Sequence, residues 1–225
     1  NMGTLRSLKD IKTIIFDWDG TLHESMIIYQ GAFLKAYQFL VEKGYANKRK
    51  WKTEDIKRFL GMNPKEMWAS FQPTIPEHII QIVSPMISKE MKSSIDMGKA
   101  RLYDGALHVL SILKSKGYHL VYLSNSKTYY KDAMTQAFHL ENYFDHIICS
   151  EMYDYIPKHD ILSQIKDQLP LGWMVVGDRN VDMIAGQTHH AFTVACDYGY
   201  GDQAELSTAD AHIQEIKELL KILSN

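Results

Sequence analysis

The chain has 225 residues, 45% of them hydrophobic and 23% charged, with a formal net charge of -2 at pH 7. That length supports one well-packed domain or a domain carrying a large insertion, and no stretch is poor enough in apolar residues to read as disordered. The near-neutral charge gives no basic footprint for nucleic acid or an anionic membrane, and no run approaches the ~20 apolar residues of a membrane span.

No secretory leader, internal repeat or low-complexity tract is recognisable, so the expected location is the cytoplasm, with no nucleic-acid or membrane partner and a monomer or homodimer as the assembly. Asn1 ahead of Met2 reads as an expression remnant. Cys149 and Cys196 are the only cysteines, both in apolar, strand-like surroundings, and are expected to be buried free thiols rather than a disulfide or zinc ligands.

In chain order, Thr13-Ile14-Ile15-Phe16 is a β-branched apolar run expected to be a strand buried on both faces, ending at Asp17-Trp18-Asp19-Gly20-Thr21-Leu22. From Ser25, a predicted N-cap, apolar residues recur at helical spacing as far as Gly44. Thr53 is expected to cap a helix running to Leu60, and Asn63-Pro64-Lys65-Glu66 reads as a capped helix start. A longer helix is predicted from Pro76 toward Met97, bent or broken at Pro85. Nothing from Ser25 to Ala100 reads as a strand. The block is therefore expected to be an inserted all-α domain, residues 23–101, joined to a core of residues 2–22 and 102–225.

Beyond the insertion, helix and strand alternate. Helices are expected at 106–116, 128–138, 159–168, 181–189 and 213–223, and strands at 118–123, 146–149, 173–176 and 191–195. This alternation predicts an α/β fold with a Rossmann-like parallel sheet and helices on both faces. Polar residues fall where strands end: Asp17 and Asp19 after the first, Ser124 and Asn125 after the second, Asp178 and Asp182 after the fourth. Lys158 opens the helix between the third and fourth strands. All would share the carboxyl edge of the sheet, where open α/β sheets place ligands. Two carboxylates as close as Asp17 and Asp19 repel, and a divalent cation is the usual means of keeping both ionised. Taken singly, each cluster has an ordinary explanation: an Asp-Gly turn, a Ser-Asn turn, a Gly-Asp N-cap, a solvated lysine.

Together, Asp17-Trp18-Asp19-Gly20-Thr21-Leu22, Leu123-Ser124-Asn125, Lys158 and Gly177-Asp178-Arg179-Asn180-Val181-Asp182 follow the motif order of the haloacid dehalogenase-like hydrolase superfamily, which the whole chain resembles. The helical insertion after the first motif looks like the cap domain of the phosphoglycolate phosphatase-like branch. The resemblance implies a Mg²⁺-dependent phosphatase for a small phosphorylated metabolite, working through an aspartyl-phosphate. Asp17 resembles the nucleophile and Asp19 the acid/base, whose pKa is expected to be lifted by neighbouring carboxylates. The Asp17 side chain, the Asp19 carbonyl and Asp178 look like Mg²⁺ ligands, with Asp182 supporting the ion through water. Gly20, Thr21, Ser124 and Asn125 are the expected phosphate-binding residues, and Lys158 the neutralising cation.

Here His159 follows the lysine where the family often has proline, so Lys166 is held in reserve. Arg179 stands where related phosphatases often carry a small hydroxyl residue, and either touches phosphate or reaches solvent. Glu24 and Gly61-Met62-Asn63 are candidates to face the site from the cap, whereas Trp18, Trp68 and the cap methionines read as packing and His189 and His190 as helix-end residues. Two other functions remain open: a phosphosugar mutase of the same family, and a non-catalytic sensor of metal and phosphate. A receiver-like signalling domain gives the insertion no purpose.

Overall fold

A computed structural model describes residues 8–224, so the expression-remnant reading of Asn1 lies outside the described residues. Strands β1 (Thr13–Phe16), β2 (His119–Ser124), β3 (His146–Cys149), β4 (Trp173–Gly177), β5 (Phe192–Cys196) and β6 (Ala211–Ile213) form one sheet in the order β3-β2-β1-β4-β5-β6. Every neighbouring pair is parallel. All four residues of β1 are buried, which suits a strand with neighbours on both edges and helices on both faces.

Alternation along β1 divides the core in two. Ile14 and Phe16 join the cluster formed with α5 (Ala106–Ser115), α6 (Thr128–Phe138) and α9 (Glu218–Leu223). Ile15 points the other way, into the cluster with α7 (Lys158–Ile165) and α8 (Asn180–Thr188). The fold is thus the expected three-layer α/β arrangement.

Between β1 and α5 come α1 (Met26–Glu42), α2 (Thr53–Lys57), α3 (Pro64–Ala69) and α4 (Glu77–Asp96). Phe33 and Phe59 anchor an aromatic cluster there: the Phe33 ring lies 4.8 Å from Trp51 and 5.3 Å from Phe59, and Phe59 lies 5.6 Å from Phe71. Offset and edge-on ring contacts of this kind stabilise a small helical unit beyond the area they bury. The two connecting strands of chain run side by side, with Tyr103 N donating to Leu22 O at 2.9 Å and Glu24 N to Arg101 O at 2.8 Å. The helical unit also rests on the core through α4 against α6.

Several expected boundaries differ. Ser25 makes no cap bond to α1, because its hydroxyl is turned to Asp19. Thr53 is the first helical residue rather than the cap, and α2 ends at Lys57, with turns carrying the chain to Gly61. The Asn63–Glu66 capping box is present in both directions. Helix α4 continues unbroken through Pro85, its face of Ile79, Val83, Ile87, Met91 and Ile95 being buried on both sides of the proline. That continuous apolar stripe outweighs one missing hydrogen bond. The last helix begins at Glu218, since Ala211–Ile213 pairs with β5 as the edge strand β6, too short to show a period of two. Cys149 and Cys196 are buried and free. Among the described residues no helix is long and apolar enough to cross a membrane.

Candidate active site

The register of β1 sets the site. Phe16 lies opposite Tyr122 of β2 and Val176 of β4, so the residues that follow leave the sheet at one level. Asp17 is held there by its N–H, which donates to Val176 O at 3.0 Å. The carboxylates of Asp17, Asp178 and Asp182 offer ligand atoms within 4.8 Å of one another, all buried. Lys158, 4% exposed at the start of α7, donates to Asp17 Oδ1 at 2.8 Å and Asp182 Oδ1 at 2.7 Å. Lys166 is exposed in the turn after α7 and takes no part.

Glycine is required at position 20. Its φ is +80°, and a Cβ there would overlap the Asp178 carboxylate and crowd Tyr200. Asp178 accepts from Tyr200 N at 2.7 Å and, more weakly, from Thr21 Oγ1 at 3.5 Å. Both Asp182 oxygens are taken, one by Lys158 and the other by Arg179 N at 3.1 Å. Asp182 is therefore placed to support the cluster, while Asp17 and Asp178 are better placed to bind an ion directly.

The electrostatics follow from three buried carboxyls, of which Asp17 and Asp182 share one ammonium. Burial and the charges of Asp17 and Asp182 push the Asp178 carboxyl well above the usual carboxylate range. Burial and Asp17 raise Asp182 to about 6, against the opposing pull of Lys158. Burial would strip Lys158 of its proton, but Asp17 and Asp182 outweigh it and hold the ammonium above its ordinary value. The cluster thus lacks positive charge and is built of hard oxygen donors, which fits a divalent cation such as Mg²⁺.

Asp19 behaves differently from expectation. One oxygen, Oδ1, accepts from Ser25 Oγ and Tyr130 OH, each at 2.5 Å, and faces His23 Nδ1 at 3.1 Å. Burial raises its pKa, but these three partners together overcome that and hold the carboxyl below its ordinary value. The expected upward shift is overturned because Asp19 faces hydrogen-bond donors rather than the acidic cluster. His23, fully buried and stacked on Trp18 at 5.7 Å, was not singled out by the sequence, although its position four residues after Asp19 was available as a signal. Tyr130 lies 111 residues from Asp19 and gave no local signal.

Ser124 is buried, with its hydroxyl on Ser126 Oγ at 3.0 Å. Asn125 reaches the other way, donating from Nδ2 to Gly61 O of the helical unit at 3.1 Å. Arg179 neither faces the carboxylates nor floats in solvent. Its Nε donates to Glu205 at 2.9 Å, and its Nη1 donates to the carbonyls of Arg58 at 3.1 Å and Leu60, tying the loop before Gly61 to the core. Asn125 and Arg179 thus latch one loop from two sides. Gly61 and Met62 line a cavity between the helical unit and the core, with Asp19 and Asn125 also in its wall, whereas Glu24 is absent from that wall. Trp68 lines it as well, in addition to packing. His189 ends α8, its ring against Ser163 and the His159 carbonyl, and His190 follows in the left-handed conformation.

With this geometry in place, a family model for the haloacid dehalogenase-like hydrolases matches residues 11–190. The chain belongs to that family. As a haloacid dehalogenase-like hydrolase it is an enzyme, and the match contains every motif set out above. It is similar to the pyrophosphatase PpaX of Bacillus mycoides (strain KBAB4), 22% identical over 220 residues that cover 95% of this chain and 97% of the relative. Its fold resembles that of a predicted phosphoglycolate phosphatase from Haemophilus somnus 129pt, with 20% identity and a TM-score of 0.80 over 95% and 98% of the two chains. It also resembles CbbY from Rhodobacter sphaeroides in complex with phosphate, with 18% identity and a TM-score of 0.76 over 96% and 100%.

Proposed function

We propose that the protein is a Mg²⁺-dependent phosphatase of a small phosphorylated metabolite, acting through an aspartyl-phosphate on Asp17, with the four-helix insertion as its cap. The observation that carries this reading is the meeting of Asp17, Asp178 and Asp182 at the edge of β1, with Lys158 bonded to Asp17 and Asp182, beside a cavity whose wall includes Asp19. The names of its relatives, a pyrophosphatase and a predicted phosphoglycolate phosphatase, agree with it.

Asp17 is the nucleophile, its carboxyl oriented through Oδ1 by Lys158. Lys158 also spreads its charge toward the phosphoryl oxygens during transfer. Asp19 gives a proton to the departing oxygen and then takes one from the water that hydrolyses the intermediate. To do so it must be released from His23, Ser25 and Tyr130, which favour its ionised form. Asp17, the Asp19 carbonyl and Asp178 would hold Mg²⁺, with Asp182 behind them. When bound, the ion supplies positive charge against the oxygens of the transferring group. Gly20 and Thr21 after β1 and Ser124 at the end of β2 would contact phosphate, and Asn125 joins the cap latch. The helical unit excludes water from the first transfer, so that the leaving alcohol rather than solvent receives the proton.

Release of inorganic phosphate from a panel of phosphomonoesters, with Mg²⁺ and with a chelator, tests the proposal. Activity is expected only with the metal, and Asp17→Asn is expected to lower kcat by at least roughly a thousandfold. Release that is unaffected by Asp17→Asn would refute it, and an isomerised sugar phosphate in place of free phosphate would move the protein to the mutases.

A further inference from the structure

The cavity between the helical unit and the core has a volume of about 110 Å³ and opens beside Asp19. Its walls are Tyr29, Met67, Trp68, Ile87 and Met91 from the helical unit and Tyr129 from α6. Among the described residues, Asp19 and Lys127 are the only charged groups lining it. Lys127 is already engaged, donating to Ser84 Oγ at 2.9 Å, and its half-buried position lowers its hold on the proton. We infer that this cavity takes the leaving group, and that the substrate is the phosphomonoester of an uncharged alcohol with an aromatic or alkyl body.

This rests on the phosphatase reading and adds to it a substrate class. A group bound to the phosphoryl oxygen that Asp19 protonates must extend past Asp19, into apolar and aromatic side chains. A carboxylate or second phosphate carried there would lose its hydration among Tyr29, Trp68, Ile87 and Met91, with one occupied lysine in compensation. Pyrophosphate, the substrate in the name of the Bacillus relative, and phosphoglycolate both bring such a charge. A polyhydroxy sugar brings hydroxyls, and the polar side chains of the wall are largely engaged already: Asn125 with Gly61 O, Ser126 with Ser124, Ser84 with Lys127 and Tyr130 with Asp19. An apolar ring or chain displaces water from surfaces that gain by losing it. Engineered apolar cavities of ~150 Å³ take benzene, so the space suits a single ring or a short chain. Thioethers on two sides let the wall adjust to either shape.

The experiment compares kcat/KM for ethyl, n-butyl and benzyl phosphate, 2-phosphoglycolate and pyrophosphate with Mg²⁺ present. Simple alkanols leave with similar ease, so a trend from ethyl to butyl reports burial. About fourfold per methylene, or about fifteenfold between the two, is expected. Benzyl phosphate is expected to exceed 2-phosphoglycolate and pyrophosphate at least tenfold. Met62→Lys, at a half-buried position in the same wall, is expected to shift that ratio at least tenfold toward 2-phosphoglycolate. A flat alkyl series, or the acidic substrates ahead, overturns the inference while leaving the phosphatase reading intact. If no ester releases phosphate, that reading fails, and calorimetry on Asp17→Asn protein with Mg²⁺ still decides the cavity. Benzylphosphonate binding at least tenfold tighter than phosphonoacetate upholds it, and equal or weaker binding overturns it.

Discussion

Replacing Asp182 by asparagine should make the metal-free protein relatively more stable as pH rises. Asp182 is 2% exposed, and burial with the neighbouring charge of Asp17 raises it from the ordinary 3.8 to about 6. A carboxyl whose folded pKa is raised binds its proton more tightly in the native state, so stability is highest at low pH and falls as pH climbs between about 3.8 and about 6. Fully ionised, it costs the folded state roughly 3 kcal/mol. At pH 4.5, where the native carboxyl is still protonated, the cost is only about 1 kcal/mol by the same relation. Asparagine carries no such dependence. Any fixed cost of the substitution, including a poorer partner for the Arg179 N–H, cancels when the two pH values are compared. The melting temperature of Asp182→Asn relative to the parent should therefore rise by about 4–8 °C between pH 4.5 and 7.5 for a chain of this length. Differential scanning fluorimetry in chelator measures it. Added Mg²⁺ should oppose the penalty, lifting the parent by roughly 2.7 kcal/mol at a hundredfold excess over its Kd and the variant by less. A difference between the proteins that does not change with pH, or that shrinks as pH rises, would refute the idea of a charge-crowded, cation-seeking cluster.

The remaining predictions concern the residues around that cluster. Tyr130→Phe removes a hydrogen bond that favours ionised Asp19, so the Asp19 pKa should rise and the alkaline limb of the kcat/KM profile should move to higher pH; an unmoved limb would separate Asp19 from proton donation. Arg179→Ala, which frees the loop at Arg58 and Leu60 from the core, should raise KM several-fold with a smaller change in kcat and speed proteolysis near Gly61; unchanged proteolysis would show that the latch does not restrain the loop. Gly20→Ala should destabilise the protein by about 3 kcal/mol or more and abolish stabilisation by Mg²⁺, because the new methyl overlaps the Asp178 carboxylate at a left-handed backbone position; a melting curve with and without Mg²⁺ reads both effects.

What could be seen in the sequence, and what could not, divides along the range of the forces involved. The strand Thr13–Phe16 announced itself because a run without polar residues has nowhere to go but the sheet centre, and the residues just beyond it must then share an edge with those beyond β2 and β4. The convergence of Asp17, Asp178 and Lys158 was legible for that reason: topology alone brings strand ends together. The Asn63 capping box was legible because its bonds span three residues. Ser25 shows the limit of local rules. Its hydroxyl had a helix terminus within reach and chose Asp19, whose charge makes the stronger acceptor. The expected pKa of Asp19 is reversed first by His23, four residues on, and then by Ser25 and by Tyr130, which α6 brings in from a distant part of the chain. Arg179 was legible as an oddity and not as a latch, because its partners, Glu205 and the Arg58 and Leu60 carbonyls, come from two separate loops. Positions fixed by backbone topology can be read ahead of the fold; the protonation states at those positions depend on side chains that only the folded chain assembles, and the chemistry of this site turns on those states.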